Sequence, residues 1–125
     1  MMKLLLVGVG GGIGSICRYL ASGWMYRILD KPGFPYGTLL VNVGGCFLIG
    51  LLASLSESRQ LLNSETRLLV MVGFLGGFTT FSTFGYEVFN FLRDGQTLAS
   101  LLNIGMNLFL GLCAVWLGTV TARIL

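Results

Sequence analysis

Gly73-Phe74-Leu75-Gly76-Gly77-Phe78-Thr79-Thr80-Phe81-Ser82-Thr83-Phe84 stands in the middle of an apolar stretch that runs from Arg67 to Leu92. Around it, Leu68 to Val72 and Val88 to Leu92 are suited to lipid. Its own Gly76, Gly77, Thr79 and Thr80 are poor helix formers. A span of this length with such a centre predicts a membrane helix that is interrupted near residues 76–80. Non-helical backbone at that depth is tolerated only where protein or water satisfies its polar groups. Discontinuous helices at the bilayer midplane commonly build ion sites.

Outward from this segment, three more runs reach the roughly 20 apolar residues that a membrane crossing needs. They are Leu4 to Tyr26, Tyr36 to Ser56 and Thr97 to Ala122. The connections are short: Arg27 to Pro35, with the breaker cluster Asp30, Lys31, Pro32 and Gly33; the polar stretch Glu57 to Thr66; and the turn Arg93, Asp94 and Gly95. Short connections make consecutive helices antiparallel neighbours. The expected fold is a single all-α membrane domain over residues 1–125, with four spans and a broken third.

Composition agrees with that placement. Of the 125 residues, 54% are hydrophobic and 10% charged, against about 25% charged in an ordinary soluble domain. Histidine is absent, which excludes a His general base and a His-ligated metal and weighs against an enzyme. Cys17, Cys46 and Cys113 are odd in number and far apart, so they form neither a disulfide framework nor a zinc pattern; they read as small packing residues. The net charge of +3 comes without a basic cluster, so no nucleic-acid partner is expected. Met1, Met2 and Lys3 before an apolar run resemble the opening of a signal peptide, but the run continues past Arg18 without a small-residue cleavage site.

Four spans put Lys3, Arg59, Arg67 and Arg123 on one side and Arg27, Lys31 and Arg93 on the other. Orientation follows the difference in Lys and Arg between the sides, and four against three gives almost no instruction. Insertion in both orientations is therefore expected. Four helices enclose little, whereas an inverted pair of copies supplies eight. Gly10 with Gly14, Gly73 with Gly77, and Gly118 with Ala122 have the small-xxx-small spacing that lets membrane helices approach closely. The run Gly8 to Gly14 does not satisfy a dinucleotide fingerprint and follows no strand.

Polar groups inside the spans carry the functional information. Arg18 lies near the middle of the first span, where it either snorkels to headgroups or faces a watery vestibule and concentrates anions. Asn42, with Thr38 one turn earlier on the same face, offers two uncharged N–H donors. These suit a passing anion or an interhelical hydrogen bond. Phe81 and Phe84 share a face at i, i+3. They either pack against neighbours or turn positive ring edges toward an anion, in company with the hydroxyls of Thr80, Ser82 and Thr83. The carbonyls of Gly76 and Thr79 are placed to hold a small cation at a seam between two subunits. Glu87 falls on the Phe84 face nearer the end of its span, and Asn103 and Asn107 share a face of the fourth helix at i, i+4.

These residues resemble the bacterial fluoride channels called Fluc or CrcB, over essentially the whole chain. The resemblance rests on Gly11-x-x-Gly14-x-x-x-Arg18-Tyr19, on Gly37-Thr38-Leu39-x-Val41-Asn42-x-x-Gly45, and on the quoted stretch of the third span. It implies passive fluoride export across the bacterial inner membrane by an antiparallel homodimer with two pores and a central Na⁺ held by the Gly76 and Thr79 carbonyls. It places Phe81 and Phe84 in an aromatic box, Asn42 as the pore amide, and Thr38, Ser82 and Thr83 on or near a polar track. Arg18 and Glu87 match charged positions. The fourth helix departs from the family's common hydroxyl, His or Tyr side chains, having Asn107 and then Gly111 at the pore's far end. Two rivals use other features: a four-span multidrug antiporter needs a carboxylate in the first helix, where this chain has Arg18, and a structural subunit would leave the donors of the third span without a use.

Overall fold

A computed structural model describes residues 1–30 and 33–125; Lys31 and Pro32, part of the first breaker cluster, lie outside the described residues. The four long helical segments are α1 (Met2–Ile28), α2 (Tyr36–Arg59), a third span Ser64–Arg93, and α5 (Thr97–Ile124). The third span is divided into α3 (residues 64–78) and α4 (Phe81–Arg93). All four are long and apolar enough to cross a membrane. The all-helical fold with a broken third helix is as the sequence predicts. The second and fourth spans begin at the expected Tyr36 and Thr97, and every other end lies one to three residues beyond the sequence-based bounds.

The caps explain the ends. Asn63 starts α3 by accepting from the Thr66 N–H at 2.7 Å. The C-terminus of α4 closes on Gly95, whose φ of 73° suits a residue without Cβ. Gly95 N–H donates to Leu92 O at 3.1 Å and Gln96 N–H to Phe91 O at 2.7 Å, the two crossed bonds that satisfy the last carbonyls of a helix. The turn at Arg93, Asp94 and Gly95 is therefore tight, and it directs α5 back along α4.

Two helix pairs make the scaffold: α1 lies along α3, and α2 lies along α5. Lipid tails are as apolar as leucine, so burial in the aqueous sense does not drive these contacts; close approach of small residues does. Gly10 and Gly14 of α1 face Gly73 and Gly77 of α3. A methyl group at Gly10 would land on the Leu69 carbonyl, at Gly14 on the Phe74 carbonyl, and at Gly77 on the Gly11 carbonyl. The other pair repeats the device, with Gly118 against the Phe47 carbonyl and Gly50 against that of Val115. The predicted glycine pairs thus meet one another, backbone on backbone. Ala122, predicted with Gly118, is likewise buried.

Residues Leu68–Leu75 wind as a π-helix, a form rarely longer than one turn and often found at functional sites. Nothing in the apolar run Leu68 to Val72 signals it. One copy of the chain buries little apolar surface: Leu39, Val41, Leu75, Phe84, Ala114 and Ala122 are its buried apolar side chains among the described residues. Large side chains such as Leu20, Trp24, Phe81, Phe109 and Trp116 stand on the outside, where a water-soluble protein of this size would not leave so many.

Candidate functional site

The break falls at Thr79 and Thr80, not at the glycines. Gly76 and Gly77 remain helical, with Gly76 at φ −62° and ψ −37°. Thr79 turns extended at φ −84° and ψ 158°, and Thr80 at φ −149° and ψ 117°. The break lies within the expected residues 76–80, at the threonines of that stretch and not at its glycines. Gly77 is used instead to bring α3 onto α1, and Gly76 faces outward with nothing near it. Two β-branched residues, which prefer extended backbone, take the break.

The Thr79 carbonyl and both backbone groups of Thr80 find partners on other helices. Thr79 N–H still donates to Leu75 O at 3.0 Å, and the Thr79 hydroxyl adds a second bond to that carbonyl at 2.9 Å. The Thr79 carbonyl receives the Arg18 Nη1 at 3.3 Å. Asn42 of α2 takes both backbone groups of Thr80: the Thr80 N–H donates to Asn42 Oδ1 at 2.8 Å, and Asn42 Nδ2 donates to the Thr80 carbonyl at 3.1 Å. One carboxamide thereby imitates a neighbouring strand and holds the extended residue in place. Gly45, one turn further along α2, lies against the Thr79 side chain, so α2 reaches this depth because it has no side chain there.

Beyond the break, the Thr80 hydroxyl accepts from the Thr83 N–H at 3.2 Å and pairs with the Thr83 hydroxyl at 3.0 Å. Thr80 is therefore the N-cap of α4. The first N–H groups of any helix lack intrahelical partners, and the helix start carries partial positive charge. With Thr80 capping Thr83, the N–H groups of Phe81 and Ser82 begin the helix beside the Ser82 hydroxyl. A helix start with unpaired donors is suited to an anion.

Phe81 and Phe84 lie together, ring centroids 5.6 Å apart and tilted by 55°, but in different surroundings. Phe84 is 8% exposed and Phe81 is 81% exposed on the outside of the single copy. Beside Phe81 a groove of about 330 Å³ is lined by Asn42, Gly45, Leu75, Gly76, Thr79 and Thr80, among others. This groove joins the break to the outer face.

A second groove, of about 390 Å³, runs along α1 and is lined by Arg18, Ser22, Tyr26, Thr38, Thr83 and Glu87, among others. Arg18 thus both faces a groove, as one of its two sequence readings has it, and reaches the broken backbone. Thr38, placed by sequence on the Asn42 face, is buried and donates its hydroxyl to Glu87 Oε1. Glu87 is half-buried, and among the described residues it has no cationic partner within salt-bridge distance, the one such pair there being Arg93 with Asp94 at 3.2 Å. On α5, Asn107 accepts from Asn42 Nδ2 at 3.1 Å and donates to Asn103 Oδ1 at 2.9 Å. Asn42, Asn107 and Asn103 form one hydrogen-bonded series, which spacing alone could not join because it crosses from α2 to α5.

For the implied Na⁺, the last carbonyls of α3 and the Thr79 carbonyl are the available oxygens. Gly76 is open to the outer groove, and Thr79 O has one lone-pair direction left beside Arg18. No cluster of His, Cys, Asp or Glu among the described residues competes for a metal. Backbone oxygens of this kind suit a hard cation.

A multi-pass membrane protein with a mid-span break, a donor-rich helix start and polar grooves leading to it has the makings of an ion-conducting or transporting protein. Comparison with known sequences defines the group. The family model described as CrcB-like protein, Camphor Resistance (CrcB) matches residues 5–119, and the chain belongs to that family. It is 44% identical over 98% of both chains to a protein of Geobacter metallireducens named fluoride-specific ion channel FluC. It is 44% identical to one of that name from Acidobacterium capsulatum, over 98% of this chain and 97% of the relative. It is 43% identical to fluoride-specific ion channel FluC 1 of Methanosarcina acetivorans, over 98% of this chain and 92% of the relative.

Proposed function

We propose that this protein is a fluoride channel of the bacterial inner membrane, giving passive, electrogenic fluoride export, and that it works as a homodimer of oppositely oriented copies. The observation that carries the reading is the break at Thr79 and Thr80, where a donor-rich helix start, the Phe81–Phe84 pair and the Asn42 carboxamide converge. The full-length similarity to proteins named fluoride-specific ion channels supports it.

Fluoride is small and strongly hydrated, so a pore must replace its water with closely fitted donors. The N–H groups at the start of α4, the hydroxyls of Ser82 and Thr83 and the ring edges of Phe81 and Phe84 are such donors. They are uncharged, and weak binding at more than one place lets an ion leave as well as enter. Arg18 at the groove along α1 attracts the anion, and Thr38 lines that groove with its hydroxyl held by Glu87. Asn42 and Asn107 shape the interior, and Asn42 does so while holding Thr80. The large exposed face around Phe81 and Gly76 supports a second copy as its cover, and the four-to-three charge split supports opposite orientations. Na⁺ bound by the Gly76 and Thr79 carbonyls of both copies would neutralise the carbonyl ends of the two α3 helices at the seam.

The reading is tested by reconstituting the purified protein in liposomes loaded with fluoride or chloride and recording efflux with valinomycin and potassium as charge compensation. Fluoride release that stops without valinomycin, with chloride retained, is expected. Efflux that ignores valinomycin, or equal release of chloride, overturns it.

A further inference from the structure

Lys3 of α1 and Arg67 of α3 stand at the same end of two helices that run in the same direction, since Gly10 meets Leu69 and Gly73 while Gly14 meets Phe74 and Phe78. Lys3 lies about two turns before Gly10 on the same helix face, and Arg67 stands ahead of Leu69 in the opposing helix. The glycine seam that docks the helices therefore also brings these two cations to a similar depth. Both line a groove of about 400 Å³, together with Ser64, Leu68, Met71 and Val72. No carboxylate lines it. Glu65 shares the first turn of α3 with Arg67 but is not part of the wall. Among the described residues neither Lys3 nor Arg67 is in an ion pair. The rest of the wall is apolar: Leu68 and Met71 are half-buried, and Val72 is 56% exposed.

The opposite end of the bundle differs. There Arg93 pairs with Asp94 at 3.2 Å, and the groove at that end has Glu87 and Asp94 in its wall. Single lysines and arginines at the end of a span serve as anchors to any headgroup. Arg59 and Arg123, at the ends of α2 and α5, are cations of that kind and lie outside the groove. Lys3 and Arg67 share one concavity, whose cationic mouth and apolar wall match the two parts of a lipid. We infer that this groove binds an anionic phospholipid, with its phosphate at Lys3 and Arg67 and one acyl chain along Leu68, Met71 and Val72. A guanidinium takes a phosphate through paired N–H donors and an ammonium takes it as a point charge, while the Ser64 hydroxyl is a further donor. A zwitterionic lipid brings its own ammonium toward the same two cations, so the groove selects a headgroup of net negative charge. A lipid held in this way touches α1 and α3 at once and adds to their docking. The inference goes beyond the channel reading and stands or falls apart from it.

The test titrates the purified, delipidated full-length protein in detergent with dioctanoyl phosphatidylglycerol, dioctanoyl phosphatidylcholine or glycerol phosphate, and counts bound adducts by native mass spectrometry. Phosphatidylglycerol should bind several-fold more tightly than phosphatidylcholine. One basic side chain near a lipid headgroup is worth about fivefold in binding. Lys3→Gln and Arg67→Gln should therefore each weaken phosphatidylglycerol by about fivefold, and the double variant by about 25-fold. Arg59→Gln with Arg123→Gln should leave it unchanged. Lys3 is at the exposed start of α1, so Lys3→Gln carries the test even where Arg67→Gln lowers the yield of monodisperse protein. Equal binding of the two lipids, or an equal loss in the Arg59 and Arg123 variant, overturns the site in favour of general surface charge. Displacement of the lipid by an equal concentration of glycerol phosphate shows an adventitious ion only, and overturns it as well. So does the absence of any adduct, the result expected if a second copy covers the groove. Fluoride efflux enters none of these readings, so a failure here is distinct from a failure of the channel assignment.

Discussion

The two halves of the third span are held by different forces. α3 is fixed through glycine: its backbone lies on the backbone of α1, with no room for a methyl group at Gly73 or Gly77. α4 is fixed through side-chain hydrogen bonds: Thr80 caps it, Thr38 holds Glu87, and Ser100 of α5 donates to the Val88 carbonyl at 3.1 Å. The first half is therefore a rigid mount with almost no chemistry. The second presents donors whose exact aim depends on distant residues. A membrane protein with few core side chains can separate position from function in this way, because close backbone packing fixes a helix without using polar groups.

The largest expected effect tests the mount. Gly77→Leu places a side chain on the Gly11 carbonyl, and overpacking costs of about 1–3 kcal/mol or more should prevent α1 and α3 from docking; loss of the monodisperse peak in size-exclusion chromatography is the check. Next come the donors: Asn42→Asp and Phe81→Ile should each abolish fluoride efflux from liposomes while leaving that peak in place. Near-normal efflux from either would blur the division between the two halves. A smaller change is expected for Thr80→Ala, which removes the cap of α4 and should cost about 0.5–2 kcal/mol, read as a lowered temperature of aggregation. The smallest is Gly8→Ala. No atom lies near that position, although it is on the same helix as Gly10 and Gly14, so stability should change by less than about 1 kcal/mol.

Much of the mount was legible in the sequence. The spacing of Gly10 with Gly14 and of Gly73 with Gly77 identifies helix faces that approach closely, and these faces meet. The existence of a break was legible too, because poor helix formers stand at mid-membrane depth. Its place among residues 76–80 was not. Intrinsic propensity ranks glycine as the weaker helix residue, and the structure keeps Gly76 and Gly77 helical while Thr79 and Thr80 extend. The aromatic pair shows the same limit: i, i+3 spacing brings Phe81 and Phe84 together, but whether a ring is covered depends on neighbouring helices.

By itself, the sequence determined the four spans, the interrupted third one, the glycine faces and the short set of polar residues too deep to be accidental, since each follows from local composition and periodicity. Only the tertiary structure decided where the helix breaks and which donors remain to meet an ion. That choice belongs to Arg18 and Asn42, which are 61 and 38 residues away from their partners in the chain. Extended backbone in lipid survives only where something satisfies it, and it is α1 and α2, not the third span's own residues, that supply the partners for Thr79 O and for both backbone groups of Thr80.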